Sequence, residues 1–149
     1  MIGSWYDSLN LVSKLTPKKL WNISKNLGSY YVSRFRKKPQ HWGLPFSVSV
    51  EPTTACNLRC PECPSGLRAF TRPTGLLEQH LYEKIIDELA PHLLYLILYF
   101  QGEPYLHPRF FDLVAYASKK KIYTATSTNA HYLHQKNIEK TLHSGLDRL

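Results

Sequence analysis

Cys56, Cys60 and Cys63 are the only cysteines of the chain, and they fall within the eight residues Cys56-Asn57-Leu58-Arg59-Cys60-Pro61-Glu62-Cys63. Three thiols on so short a loop can converge on one inorganic body. A cubane [4Fe–4S] cluster takes one ligand per iron, so three cysteines leave the fourth iron open for chemistry rather than electron storage alone. Two other readings stand beside this favoured one. A zinc ion would need a fourth ligand, which His41, His80 or His107 would supply, but zinc knuckles usually come in pairs and the sequence has no second one. A redox pair of Cys60 and Cys63 would leave Cys56 idle. Pro61 and Pro64 each follow a cysteine; their fixed φ and missing N–H stiffen the loop.

The elements that must position this loop can be read from periodicity. Phe46 to Glu51 alternates with period two and reads as a strand running into the cysteines. Ser65 to Gly75 reads as loop, and Glu78 to Leu89 has helical spacing with Pro91 as its stop. Leu93 to Phe100 is a continuous apolar run, expected as a strand buried on both faces. Gln101-Gly102-Glu103-Pro104 follows at its carboxyl end. Pro108 would open a helix over Phe110 to Ala117. Ile122 to Thr126 reads as a third strand, ending in Ser127-Thr128-Asn129. His131 to His143 reads as a helix stopped at Ser144-Gly145, and Leu146 to Leu149 as the start of a fourth strand. Alternation of this kind implies an α/β fold with parallel strands and right-handed crossovers. Ligands in such folds gather at the carboxyl ends of the strands, where the cysteine loop, Glu103 and Asn129 all fall.

With these residues in place, the chain resembles the radical S-adenosylmethionine (SAM) superfamily from about Phe46 to Leu149. The resemblance rests on Cys56, Cys60 and Cys63 after the first strand, Gly102-Glu103-Pro104 after the second and Ser127-Thr128-Asn129 after the third. The wording Glu51-Pro52-Thr53-Thr54-Ala55-Cys56 through Pro64 looks most like the branch whose full-length members carry a SPASM extension with auxiliary clusters. The resemblance implies the N-terminal part of a (β/α)6 partial TIM-like barrel, a [4Fe–4S] cluster held by the three cysteines, and SAM as the second cofactor. In the family, SAM chelates the open iron, an electron from the cluster breaks its C–S bond, and the resulting 5′-deoxyadenosyl radical takes a hydrogen atom from substrate. Gly102 and Glu103 would hold the SAM amino group, since a carbonyl and a carboxylate are acceptors for an ammonium. Ser127 and Asn129 would either bond polar groups of the ligand or cap a helix. The resemblance further implies a peptide or protein substrate and an electron donor such as flavodoxin or ferredoxin. Two departures stand out: Glu62 replaces an aromatic residue beside the last cysteine, and Gln101 replaces the first glycine of the commoner Gly-Gly-Glu form. The family barrel has six strands and this chain stops as the fourth begins, so the expectation is an N-terminal portion of a longer enzyme, inactive by itself.

Composition narrows the class. The chain has 149 residues, 43% hydrophobic and 20% charged, ordinary for a globular domain. It has no apolar run long enough to span a bilayer and no secretory leader pattern, and an odd number of clustered thiols fits the reducing cytoplasm. The net charge of +8 is uneven: before Glu51, eight Lys or Arg face a single acid, Asp7. No nucleic-acid-binding module is recognisable, so specific nucleic-acid recognition is not expected. Residues 1–40 read as an amphipathic helical appendage and 41–149 as the main domain. In the appendage, two short helices meet at Thr16-Pro17, Thr16 capping the second, and Ser29 to Arg36 continues as helix. Docking of their apolar faces against the main domain is favoured; contact with an anionic membrane surface is the lesser reading. His107 is expected in a turn, and His131, His134 and His143 on a solvent-facing helix. The rival to an enzyme is a non-catalytic binding module, stabilised by zinc or an iron–sulfur cluster, that uses its basic face.

Overall fold

The computed structural model describes residues 2–149. Helices α1 (Ile2–Ser13) and α2 (Pro17–Arg36) precede strand β1 (Ser47–Ser49). A short helix α3 (Pro64–Leu67) follows the cysteines. Then come α4 (Gln79–Leu89), β2 (Tyr95–Ile97), a 3-10 turn (Pro104–Leu106), α5 (Phe110–Lys119), β3 (Tyr123–Ala125) and α6 (Gln135–His143). The strands lie in the order β1-β2-β3, all parallel, with Val48, Leu96 and Thr124 in register. Arg148 makes an isolated parallel bridge to Ala125, within the Leu146 to Leu149 stretch read as the start of a fourth strand.

One face of the sheet is covered by α4 and α5. Leu93, Leu96 and Leu98 are fully buried there against Tyr82, Ile86, Leu113 and Val114. The Tyr82 hydroxyl donates to the Leu113 carbonyl at 2.8 Å and pins the two helices together. The other face is only partly covered: β3 is buried on both sides, while Tyr95 and Ile97 of β2 are half-buried. Tyr95 and Tyr123 stack there with ring centroids 5.0 Å apart, beside a cavity of about 430 Å³. The apolar run is therefore not buried on both faces: Tyr95 and Ile97 are half-buried, and Tyr99 and Phe100 are exposed. Toward its carboxyl end, β2 has little packed against this face, whereas Tyr123 of β3 is covered there by Asp7 of α1.

Other expectations shift locally. The stretch read as loop from Ser65 starts with one helical turn, because Pro64 pre-sets φ at its first position. Pro108 lies outside α5, whose N-cap is Arg109; it is Pro104 that opens a helical turn. The last helix starts at Gln135 rather than His131. Ala130 adopts φ +67° and the Asn129 side chain accepts from the His131 N–H at 3.0 Å, so the chain turns before it coils. His107 is buried and structural: its Nδ1 accepts from the Arg109 N–H, which leaves Nε2–H to donate to the Leu77 carbonyl at 3.0 Å.

Thr16 caps α2 as expected, accepting from the Lys19 N–H at 3.3 Å, but α2 is one helix of 20 residues. It packs against the amino ends of the strands, opposite the cysteines, and does so through polar residues. Lys19 Nζ donates to the Lys121 carbonyl at 2.5 Å, just ahead of β3. Asn22 Nδ2 reaches the carbonyls of Leu44 (2.8 Å) and His92 (3.4 Å), ahead of β1 and β2, and Asn26 also bonds Leu44. Asn10 of α1 and Lys14, just past its end, hold Asp147, and Asp7 of α1 accepts from the Tyr123 hydroxyl. The appendage thus docks on the main domain, but not by the apolar faces expected to do it.

Candidate iron–sulfur and cofactor site

Three loops meet at the carboxyl ends of β1, β2 and β3. The cysteine loop leaves β1 through Pro52, Thr53 and Thr54, all buried, which are tied to the stretch around Gly75 by Leu77 N–H to Pro52 O at 2.9 Å and Gly75 N–H to Thr54 Oγ1 at 2.8 Å. The three thiols are free; Cys60 is exposed and Cys56 and Cys63 are half-exposed. The Cys63 N–H donates to the Cys60 carbonyl at 3.2 Å, closing a turn that carries both ligands. The Leu58 N–H points at Cys56 Sγ at 3.4 Å. Backbone N–H groups of Gly66 and Ser65, then the Ser65 hydroxyl, hold the Cys63 thiol below the usual cysteine range despite the opposing effect of desolvation. That favours the thiolate, the form that binds metal.

The loop has room only for its own backbone. A Cβ on Gly66 would lie 2.5 Å from both the N and the O of Cys60. Gly102, after β2, has φ +76°, and a Cβ there would lie 2.1 Å from the Thr53 carbonyl oxygen. Glycine at both positions lets the β2 loop and α3 press on the cysteine loop. The Gly102 N–H donates to Ser65 Oγ at 3.0 Å and the Glu103 N–H to the Ala55 carbonyl at 2.8 Å. Ser65 therefore touches both Cys63 and Gly102.

Glu103 is 2% exposed. Its Oε1 accepts from the Thr128 hydroxyl (2.8 Å) and the Tyr105 N–H (3.1 Å), and its Oε2 accepts from the Asn129 N–H (2.7 Å). The carboxylate staples the β2 loop to the β3 loop. Asn129 Nδ2 in turn donates to Asn57 Oδ1 in the cysteine loop at 2.8 Å. Ser127 stands apart from this network; it is exposed and borders the concave cavity with Tyr99 and Arg148. The structure thus brings Cys56, Cys60, Cys63, Gly102, Glu103 and Asn129 onto one rim. It adds Asn57, Ser65, Gly66 and Thr128, which sequence reasoning did not single out. Thr128 lay inside the Ser-Thr-Asn run, but nothing local distinguishes it from Ser127.

The donor set and its surroundings fit an iron–sulfur cluster: three soft sulfur donors, one of them with backbone N–H groups turned toward it, on a partly exposed loop. Among the described residues, no group of three or more Cys, His, Asp or Glu side chains is gathered closely enough to hold a single metal ion. A cube takes each thiol on a different iron. The rim also fits a ligand with an ammonium group. Among the described residues, the Gln101 Oε1 is buried with no hydrogen-bond partner, and three donors occupy about three of the roughly four acceptor positions of the Glu103 carboxylate.

A model of the Radical SAM superfamily matches residues 50–149, the whole region that carries this rim. The chain belongs to the radical SAM superfamily. Among curated relatives, the tungsten-containing aldehyde ferredoxin oxidoreductase cofactor-modifying protein of Pyrococcus furiosus is 31% identical over 100 residues, 66% of this chain and 28% of that protein. The PqqA peptide cyclase of Bradyrhizobium diazoefficiens is 28% identical over 111 residues, 74% of this chain and 29% of the cyclase. The mycofactocin maturase MftC of Mycobacterium ulcerans is 35% identical over 85 residues, 57% of this chain and 22% of the maturase. This radical SAM chain therefore spans less than a third of the length of these relatives. The crystal structure of BtrN in complex with AdoMet and 2-DOIA superposes with a TM-score of 0.61 at 22% identity, over 69% of this chain and 43% of BtrN, which shows a shared fold. Radical SAM proteins use a [4Fe–4S] cluster and SAM, the pair for which the rim is suited.

Proposed function

We propose that the chain is part of a radical SAM enzyme that acts on a peptide or protein, with the carboxyl rim as its reaction centre. When bound, the cluster and SAM would supply the chemistry, a one-electron reductive cleavage of the sulfonium followed by hydrogen-atom abstraction from substrate. Cys56, Cys60 and Cys63 hold the cluster. The Gly102 carbonyl and the open acceptor position of Glu103 receive the SAM amino group; Ser127, exposed at the cavity edge, bonds other polar groups of SAM, and Asn129, whose polar atoms serve Glu103, Asn57 and His131, acts on the ligand by positioning the rim. Ser65, Thr128 and Asn57 orient these groups without touching the substrate. The single observation that carries this reading is the hydrogen-bond circuit joining the three loops, Cys63 to Ser65 to Gly102 and Glu103 to Asn129 to Asn57. Such a circuit supports a cluster site and an ammonium site side by side.

The peptide substrate is supported by the similarity to the PqqA peptide cyclase and by the SPASM-like wording of the cysteine loop. Residues 41–149 form the radical SAM domain and 1–40 its helical appendage. A flavodoxin or ferredoxin delivers the electron, in the cytoplasm. Anaerobic reconstitution should load about four irons and four sulfides per chain. Loading should fall for Cys56→Ala, Cys60→Ala and Cys63→Ala, and added SAM should change the electron paramagnetic resonance spectrum of the reduced cluster. One bound zinc and no iron would favour the non-catalytic module and overturn the proposal.

A further inference from the structure

Helix α2 is amphipathic the wrong way round for a helix docked on a domain. Its inward stripe, at spacings of three, four and three residues, is Lys19, Asn22, Asn26 and Ser29, and these bond carbonyls at the amino ends of the strands or within the helix. Its outward stripe is Leu20, Leu27, Tyr31 and Phe35, spaced by seven, four and four, with Trp21 beside it. Trp21 is 67% exposed and Phe35 89%. Helix α1 repeats the arrangement. Asp7 and Asn10, with Lys14 just past the helix end, reach the domain, whereas Trp5, Leu9 and Val12, on one face at spacings of four and three, are each at least half exposed. An ordinary surface helix buries its apolar stripe. Exposed apolar patches of this extent mark interaction surfaces.

Charge selects the occupant. Helix α2 has no acidic residue. Lys18, Lys25 and Arg36, spaced by seven and eleven, run along one flank of the apolar stripe, and Arg34 lies on the other. None of the four forms an ion pair among the described residues. Lys37 and Lys38 extend the charge past the helix end. A second copy of the chain would bring these like charges together. An anionic bilayer surface accepts both parts: Trp and Tyr settle at the headgroup level, aliphatic side chains enter the acyl boundary, and Lys and Arg meet the headgroups. No helix of the described residues is long and apolar enough to cross a membrane, so such contact is in the plane of the interface. We infer that the outward faces of α1 and α2 are a docking surface for an anionic lipid bilayer, on the side of the domain opposite the cysteine rim.

The tryptophans provide the readout, because Trp5, Trp21 and Trp42 are the only three and all lie in this region. The full chain is mixed with vesicles of phosphatidylcholine alone or with about 30 mol % phosphatidylglycerol, and binding is followed by co-sedimentation and by tryptophan emission. The expected result is a blue shift on the anionic vesicles, with affinity at least about tenfold above that for neutral ones and reversed by salt. Phe35→Asp, at a position exposed enough to leave folding intact by circular dichroism, should abolish the shift. Lys18→Glu with Lys25→Glu should weaken binding about tenfold or more. Absence of vesicle binding at low salt, equal binding to neutral vesicles, or binding unchanged in Phe35→Asp overturns the inference. So does a dimer in solution that shields Trp21 while vesicles are ignored.

Discussion

Replacing Glu103 by Gln separates a structural staple from a simple cofactor ligand. The carboxylate accepts from three donors, Tyr105 N–H, Thr128 Oγ1–H and Asn129 N–H, in a site that is 2% exposed. The amide keeps the shape but turns one acceptor into a donor. If its oxygen stays on the side facing Tyr105 and Thr128, its NH₂ meets the Asn129 N–H. One hydrogen bond to a charged acceptor, about 1.5–3 kcal/mol, is then lost and a buried N–H is left unsatisfied at about 1–3 kcal/mol. The opposite rotamer strands the Tyr105 N–H instead; the Thr128 hydroxyl can turn to accept, but it already receives the Ala130 N–H at 3.2 Å. The two costs overlap, so we expect a destabilisation of about 2–4 kcal/mol. Urea unfolding of the cofactor-free chain measures it, and Thr128→Val, which removes one of the three donors, should cost only about 1 kcal/mol. The double variant should be less destabilised than the sum, because both changes act on one network. If Glu103→Gln unfolds within about 0.5 kcal/mol of the parent, the carboxylate is not holding the β2 and β3 loops together and the staple is wrong.

Gly66→Ala should cut iron loading sharply while leaving far-ultraviolet circular dichroism unchanged, since the new methyl strikes the Cys60 backbone and nothing in the core; full loading would show that the loop yields. Gly102→Ala combines a left-handed φ with a 2.1 Å approach to the Thr53 carbonyl, and should lower stability by about 2 kcal/mol or more in the same urea assay. Burial first, and then the charges of Lys14 and Lys121, lower the Lys19 pKa from 10.5 to about 8. The folded chain then binds fewer protons than the unfolded chain between about pH 8 and 10.5, so stability should rise with pH across that window. Lys19→Met should flatten the rise, and an unchanged slope would assign it to another group.

The order of elements was legible because each signal is local. The alternation at Phe46–Glu51, the helical spacing of Glu78–Leu89 and the Gly145 stop depend on a few neighbours, and all three correspond to observed elements or their ends. Boundaries failed where a side chain reached out of its own segment. The turn at Asn129–His134 is held by Asn129 bonding His131, Glu103 and Asn57, and residues 72 apart in the chain leave no periodic trace of that. The apolar run Leu93–Phe100 announced a strand but not how many of its faces would be covered, because that depends on how far the sheet curls.

The triad of cysteines, its place after a first strand and the parallel βα alternation follow from residue type and spacing alone, because thiolate chemistry and backbone periodicity act over a few residues. Tertiary structure alone decided that Ser65 joins Cys63 to Gly102 and that Glu103 has most of its lone pairs occupied. It likewise decided that α2 turns its polar side to the strand ends. Unpaired carbonyls at the amino ends of three strands demand donors, and Lys19 and Asn22 satisfy them more strongly than an apolar stripe could; which side of an amphipathic helix faces inward is settled by what it meets.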